Sequence, residues 1–164
     1  MRLTARLTRT AKLLAALTAL SLWPTCPVQA QEAEWKRLSQ EAGALYNQGN
    51  YPQATIIFRR ALDVAERTFG PDHPNVALSL NNLAALYITQ SQYAQAEPLY
   101  KRSLAIWEKA RGPANPNLAT ALENYSLLLR KTGRDAEAEK MEARAKAIRS
   151  RGAAVGPAGK KRSP

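Results

Sequence analysis

Reactive side chains are scarce in this sequence, and their placement argues against catalysis. The one histidine, His73, and the one cysteine, Cys26, are distant in sequence. A general base needs a proton-transfer partner and a metal needs several ligands, neither of which a lone imidazole assembles. His73 also stands in GPDHPNVA at 70–77, which recurs as GPANPNLAT from 112 with Asn115 in the matching place. Repetition of that kind points to a structural turn. No glycine-rich phosphate loop, Cys/His metal pattern or nucleophile elbow is present. Glu97, Glu108 and Glu139 fall at polar helix positions and read as a solvated face. Tyr46, Tyr51, Tyr87, Tyr93 and Tyr100 read as packing residues. The expectation is a non-enzymatic protein with no cofactor and no metal.

What these residues decorate is a repeat. GNYPQA at 49–54 returns as SQYAQA at 91–96, and RRALDVAER at 59–67 as KRSLAIWEK at 101–109, always at an offset of 42. A second shift by 42 sets Leu122, Tyr125, Leu129, Gly133, Ala138 and Ala145 opposite Leu80, Leu83, Tyr87, Ser91, Ala96 and Ser103, so a third, weaker copy follows. Within a copy the apolar residues Leu80, Leu83, Ala84 and Tyr87 share one helical face. Gly49 and Gly133 suit left-handed helix ends, Asn50 suits a cap, and Pro52 is tolerated in a first helical turn. The G-P-x-x-P-N linkers at Pro71/Pro74 and Pro113/Pro116 break each pair from the next. Helix pairs are therefore predicted at roughly 35–48 with 51–68, 75–90 with 93–110, and 117–132 with 135–150. The fold class is all-α, a solenoid of three helix-turn-helix repeats at about 35–76, 77–118 and 119–150 within a domain over 31–150. In the last copy Asp135 and Glu142 replace the aromatics Tyr93 and Tyr100, and Ala138, Met141, Ala145 and Ile148 form a thin apolar stripe. That copy is expected to cap the stack.

LNNLAALY at 80–87, Tyr93, Ala96-Glu97, LYKRSL at 99–104 and GPDHPNVA at 70–77 together resemble the kinesin light chain class of tetratricopeptide repeats. The likeness spans roughly residues 35–150, and the 42-residue period suits that class better than the ordinary repeat of about 34. Ser91 in place of glycine and Glu41 in a usually apolar slot depart from the pattern. The resemblance implies a protein-binding groove on the inner face of the first helices. There, an asparagine hydrogen-bonds the backbone of an extended peptide, and the matching positions are Asn82 and Asn124, with Gln40 in the first copy. Specificity would then fall to their neighbours Lys36, Ser39, Tyr46 and Asn81, and to Ile88, Glu123, Leu127 and Arg130. The Lys and Arg set of a terminal-carboxylate clamp is not evident.

The ends carry the charge. The net charge is +11, with four bases and no acid in residues 1–30, seven bases and no acid in 144–164, and thirteen of each sign between. A neutral body disfavours nucleic acid as a partner. Residues 1–30 read as a secretory signal: Arg2 to Lys12 basic, Leu13 to Trp23 apolar, cleavage after Ala30. That places the chain in the periplasm or outside the cell. An uncleaved membrane anchor is the alternative, although eleven apolar residues fall short of the about 20 a spanning helix needs. Acylation of Cys26 is poorly supported by the Trp23-Pro24-Thr25 before it. Residues 151–164 read as a disordered basic tail. Arg144, Lys146, Arg149, Arg151, Lys160, Lys161 and Arg162 offer a competing role, adhesion to anionic lipid or polymer. Self-association through Trp35 and Ile57 is a third reading.

Overall fold

The computed structural model describes residues 27–111 and 115–155. Among them are six helices: α1 (Pro27–Asn47), α2 (Tyr51–Phe69), α3 (Pro74–Thr89), α4 (Tyr93–Arg111), α5 (Pro116–Lys131) and α6 (Asp135–Val155). Helix α3 packs against α4 and α5 against α6, while α2–α3, α4–α5 and α3–α5 contacts join one pair to the next. This is the all-α repeat stack that the period of 42 predicts.

Each pair turns on the same device. Gly49, Ser91 and Gly133 take φ values of 76°, 59° and 74°. The next residue then folds back: Asn50, Gln92 and Arg134 donate their backbone N–H to the carbonyls of Leu45 (2.9 Å), Tyr87 (2.8 Å) and Leu129 (2.8 Å). A left-handed residue followed by this long-range bond closes a helix and frees the chain to reverse. Ser91 alone does so with a Cβ, which crowds the following carbonyl. Ser91→Gly is therefore expected to stabilise the fold by about 1 kcal/mol, read from urea denaturation.

The linkers start helices. His73 Nδ1 accepts the backbone N–H of Asn75 (3.1 Å), and Asn115 Oδ1 accepts that of Asn117 (3.0 Å). Two different side chains thus perform one capping task, each just ahead of a first-turn proline. The His73 ring also stacks on Phe69 (4.7 Å between centroids), and Phe69 meets Trp35 edge-on at 5.7 Å. Asn50, expected to cap α2, makes no side-chain cap bond. Its backbone is already held by the turn.

Most helix bounds fall within a residue of those predicted, but the two outer ends differ. Helix α1 begins at Pro27 rather than near 35, because QAQEAE is rich in good helix formers and Glu32 pairs with Lys36 one turn on (2.6 Å). Helix α6 runs to Val155, so residues 151–155 of the expected disordered tail are helical. The signal-like residues 1–26, Cys26 included, and residues 156–164 lie outside the described residues. No helix among the described residues is long and apolar enough to cross a membrane.

The core runs unbroken through all three pairs, from Trp35, Leu38 and Phe58 through Leu80, Tyr100 and Trp107 to Leu122, Leu129 and Ile148. Trp35 is 7% exposed and its Nε1–H donates to Ser79 Oγ (2.9 Å), tying the first pair to the second. Outer helices add a ladder in register with the repeat: Arg102 pairs with Glu66 (2.5 Å) and Arg144 with Glu108 (2.7 Å), the second pair displaced from the first by 42 residues at both ends.

The last pair ends differently. Tyr100 and Trp107 of α4 are buried in the core, Tyr100 lying 6.0 Å from Tyr125 of α5. One repeat on, the same positions hold Glu142 and Arg149, which pair with Arg130 (2.8 Å) and Glu123 (2.6 Å) of α5. Ion pairs occupy the face on which another helix pair would sit.

Candidate functional site

The first helices of the pairs, α1, α3 and α5, stand side by side. Between α1 and α3 lies a depression of about 330 Å³, lined by Ser39, Gly43, Tyr46 and Asn47 of α1, Phe58 of α2, and Asn82 and Ala85 of α3. Residues 39, 43 and 46 share one face of α1, and 82 and 85 one face of α3, as the helical repeat requires. The opening exists because Gly43 and Ala85 are small. Tyr46 is fixed as a wall: its ring lies 5.6 Å from Tyr51, and its hydroxyl shares a 3.2 Å hydrogen bond with Thr89 Oγ1 of α3.

Of the residues that the sequence singles out, Ser39, Tyr46 and Asn82 meet in this depression. Gln40 is exposed on α1 outside the lining. Lys36 is paired with Glu32 (2.6 Å). Asn124 does not stand free, because its Nδ2 donates to Oδ1 of the buried Asn81 (3.2 Å), bridging α5 to α3. Ile88 packs against the core. Glu123 and Arg130 are engaged by α6, while Leu127 remains 55% exposed. The expected row of amides is thus split, open at the α1–α3 junction and bridged at the α3–α5 junction. Gly43, Asn47, Phe58 and Ala85 were not expected at the site. Two of them leave a trace in the sequence, the register Gly43, Ala85, Leu127 in which side-chain size grows, but it becomes a space only once α1 and α3 are set side by side.

The remaining candidates fall elsewhere. Arg144 and Arg149 are bound to body carboxylates, Lys146 and Arg151 are exposed, and Lys160, Lys161 and Arg162 lie outside the described residues. The patch imagined around Trp35 and Ile57 does not form, since Trp35 is buried and Ile57 half-buried against the core. Among the described residues no group of three His, Cys, Asp or Glu side chains is placed to hold a metal.

Charge is concentrated at the joint between the second and third pairs. Glu97 Oε1 accepts from Lys101 Nζ (2.8 Å), Arg134 Nη1 (2.8 Å) and the Tyr125 hydroxyl (3.2 Å). The Lys101 contact first, then Arg134, holds the Glu97 carboxyl at about 2 against an ordinary 4.5. Glu123 and Glu142 are lowered in the same sense by Arg149 and Arg130. A carboxyl depressed in the fold stabilises it fully above the unfolded value and loses that contribution as pH falls towards the folded one. Stability should therefore decline between about pH 4.5 and pH 2, with Glu97 contributing about 1 kcal/mol after solvent screening. Thermal melts across that window check this, and Glu97→Gln should flatten part of the decline.

The profile of the tetratricopeptide repeat matches residues 38–109 and 82–151. No curated protein matches the chain. Among solved structures, the crystal structure of BtubC (BKLC) from P. vanneervenii is similar at 23% identity with a TM-score of 0.67, over 79% of this chain and 52% of that one. The present chain thus spans about half the length of BtubC. The N-terminal domain of stress-induced protein-1 (STI-1) from C. elegans is similar at 17% identity with a TM-score of 0.56, covering 76% of this chain and 87% of that one. Identities this low speak to the fold alone. With the repeat profile covering both ends of the stack, the chain belongs to the tetratricopeptide repeat family.

Proposed function

We propose that this protein is a non-catalytic adaptor that holds an extended segment of a partner protein along its first helices, with the main hold at the α1–α3 junction. The observation that carries the reading is the depression in which Asn82 stands beside Ser39 and Tyr46. Asn82 is half-buried in the lining, and an amide offers both donors and an acceptor to a passing peptide backbone. Export through residues 1–30 belongs to the same proposal, supported by the sequence of that segment, and would place the partner in the periplasm or outside the cell.

The test is capture from the native envelope fraction on immobilised protein, followed by mass spectrometry and by affinity measurement with the captured partner. Asn82→Ala should weaken binding about two- to tenfold. Asn124→Ala should weaken it less, because that amide is committed to Asn81. Unchanged affinity in the double variant would overturn the groove. Sequencing the amino terminus of the native protein addresses export: a start at Gln31 supports it, a start at Met1 does not.

A further inference from the structure

We infer that the depression between α1 and α3 is a specificity pocket for one large uncharged side chain, aromatic or aliphatic, projecting from the bound segment. This rests on the adaptor reading and adds what the partner must carry. None of the seven lining residues is charged, in a chain whose surface is otherwise dense with Lys, Arg, Asp and Glu. An ionised side chain placed there would exchange part of its water for apolar surface and find no counter-ion among the lining residues, which disfavours Asp, Glu, Lys and Arg as occupants. The volume of about 330 Å³ lies near the lower limit of ligand clefts, which run from about 300 Å³ upward. That gives room for a bulky side chain together with some of its backbone. Phe58 and the fixed ring of Tyr46 supply apolar surface, Gly43 and Ala85 supply the space, and Ser39, Asn47 and Asn82 stand around them as neutral donors and acceptors.

The register of the repeat shows that the next junction is built from different residues. Gly43 and Ala85 frame it, whereas one repeat further the matching pair is Ala85 and Leu127, and the Asn81–Asn124 hydrogen bond bridges the helices there. One bulky residue in the partner is therefore read strongly, and its neighbours weakly.

Gly43 makes the inference testable without unfolding the protein. A Cβ built at Gly43 meets no atom within 4 Å, and Gly43 has no positive φ, so a larger side chain enters the depression rather than the core. Glycine is also a poor residue inside a helix, so Gly43→Leu should hold or raise the thermal midpoint while filling the pocket. The probe is an immobilised library of capped peptides of about nine residues, small and polar except at one central position fixed in turn as Leu, Phe, Asp or Lys. The full chain should retain the Leu and Phe sets at least about tenfold better than the Asp and Lys sets, and Gly43→Leu should erase that preference. If charged centres bind as well as apolar ones, or if Gly43→Leu leaves the preference intact while Asn82→Ala weakens all peptides, the pocket is wrong and the groove stands. If the wild-type chain retains no peptide of any kind, the groove reading falls and the pocket falls with it.

Discussion

Replacing Trp107 by alanine should lower the free energy of unfolding by about 3–5 kcal/mol, measured by urea denaturation. Trp107 is 4% exposed on α4, the helix that packs against both α3 and α5. Its removal would leave a cavity at the middle of a stack with only nearest-neighbour contacts to share the loss. Domains are stable by about 5–15 kcal/mol, so the variant would be near its unfolding threshold. Leu127→Ala is the matched control. Leu127 is 55% exposed, and its truncation should change stability by less than about 0.5 kcal/mol. A Trp107→Ala loss of under about 1 kcal/mol would mean that the buried α4 core does not hold the stack together.

The double variant Glu142→Tyr with Arg149→Trp should convert the closing face into an associating one. Those substitutions give α6 the residues that α4 carries at Tyr100 and Trp107, both buried, with Tyr100 lying against Tyr125 of α5. They also remove Glu142 from Arg130, which keeps only its longer contact with Asp135 (3.7 Å), and strip Glu123 of Arg149. Exposed ion pairs contribute little to folding, so the fold should survive. Two large aromatics on an open end would then seek burial against another molecule. Sedimentation velocity should show a concentration-dependent shift to higher mass relative to wild type. An unchanged profile up to about 100 µM would show that charge at these positions is not what ends the stack.

The repeat itself was legible because glycine and proline punctuate it. Gly49, Gly133 and the linker prolines mark inner helix boundaries to within a residue, and Ser91 could be placed by register alone. Where punctuation is missing the boundaries drift, as at the start of α1 and the end of α6. Residue type misled at the caps: Asn50 has the preferred chemistry and makes no cap bond, whereas His73 caps through a ring nitrogen. The groove was half legible. Ser39, Tyr46 and Asn82 carry recognisable polar or aromatic groups at helical spacing, so they could be chosen from the chain. Gly43 and Ala85 could not, since a space between helices belongs to two elements at once. The Asn81–Asn124 bond spans 43 residues and depends on how closely α3 and α5 approach. Charge read along the chain also misplaced Arg144 and Arg149, which belong to a linear basic block but, once wound into α6, face the acids of α4 and α5.

The outer ladder bears on how such a chain can lengthen. Glu66–Arg102 and Glu108–Arg144 are one contact made twice, each copy presenting a glutamate forward and an arginine back. A duplicated 42-residue module spliced in near residue 76 or 118 would arrive with both halves already in place. Its arginine would meet the glutamate upstream, and its glutamate the arginine downstream. Growth by tandem duplication thus needs no compensating change along this edge, and the terminal module, with its ion-paired face, would be carried outward intact.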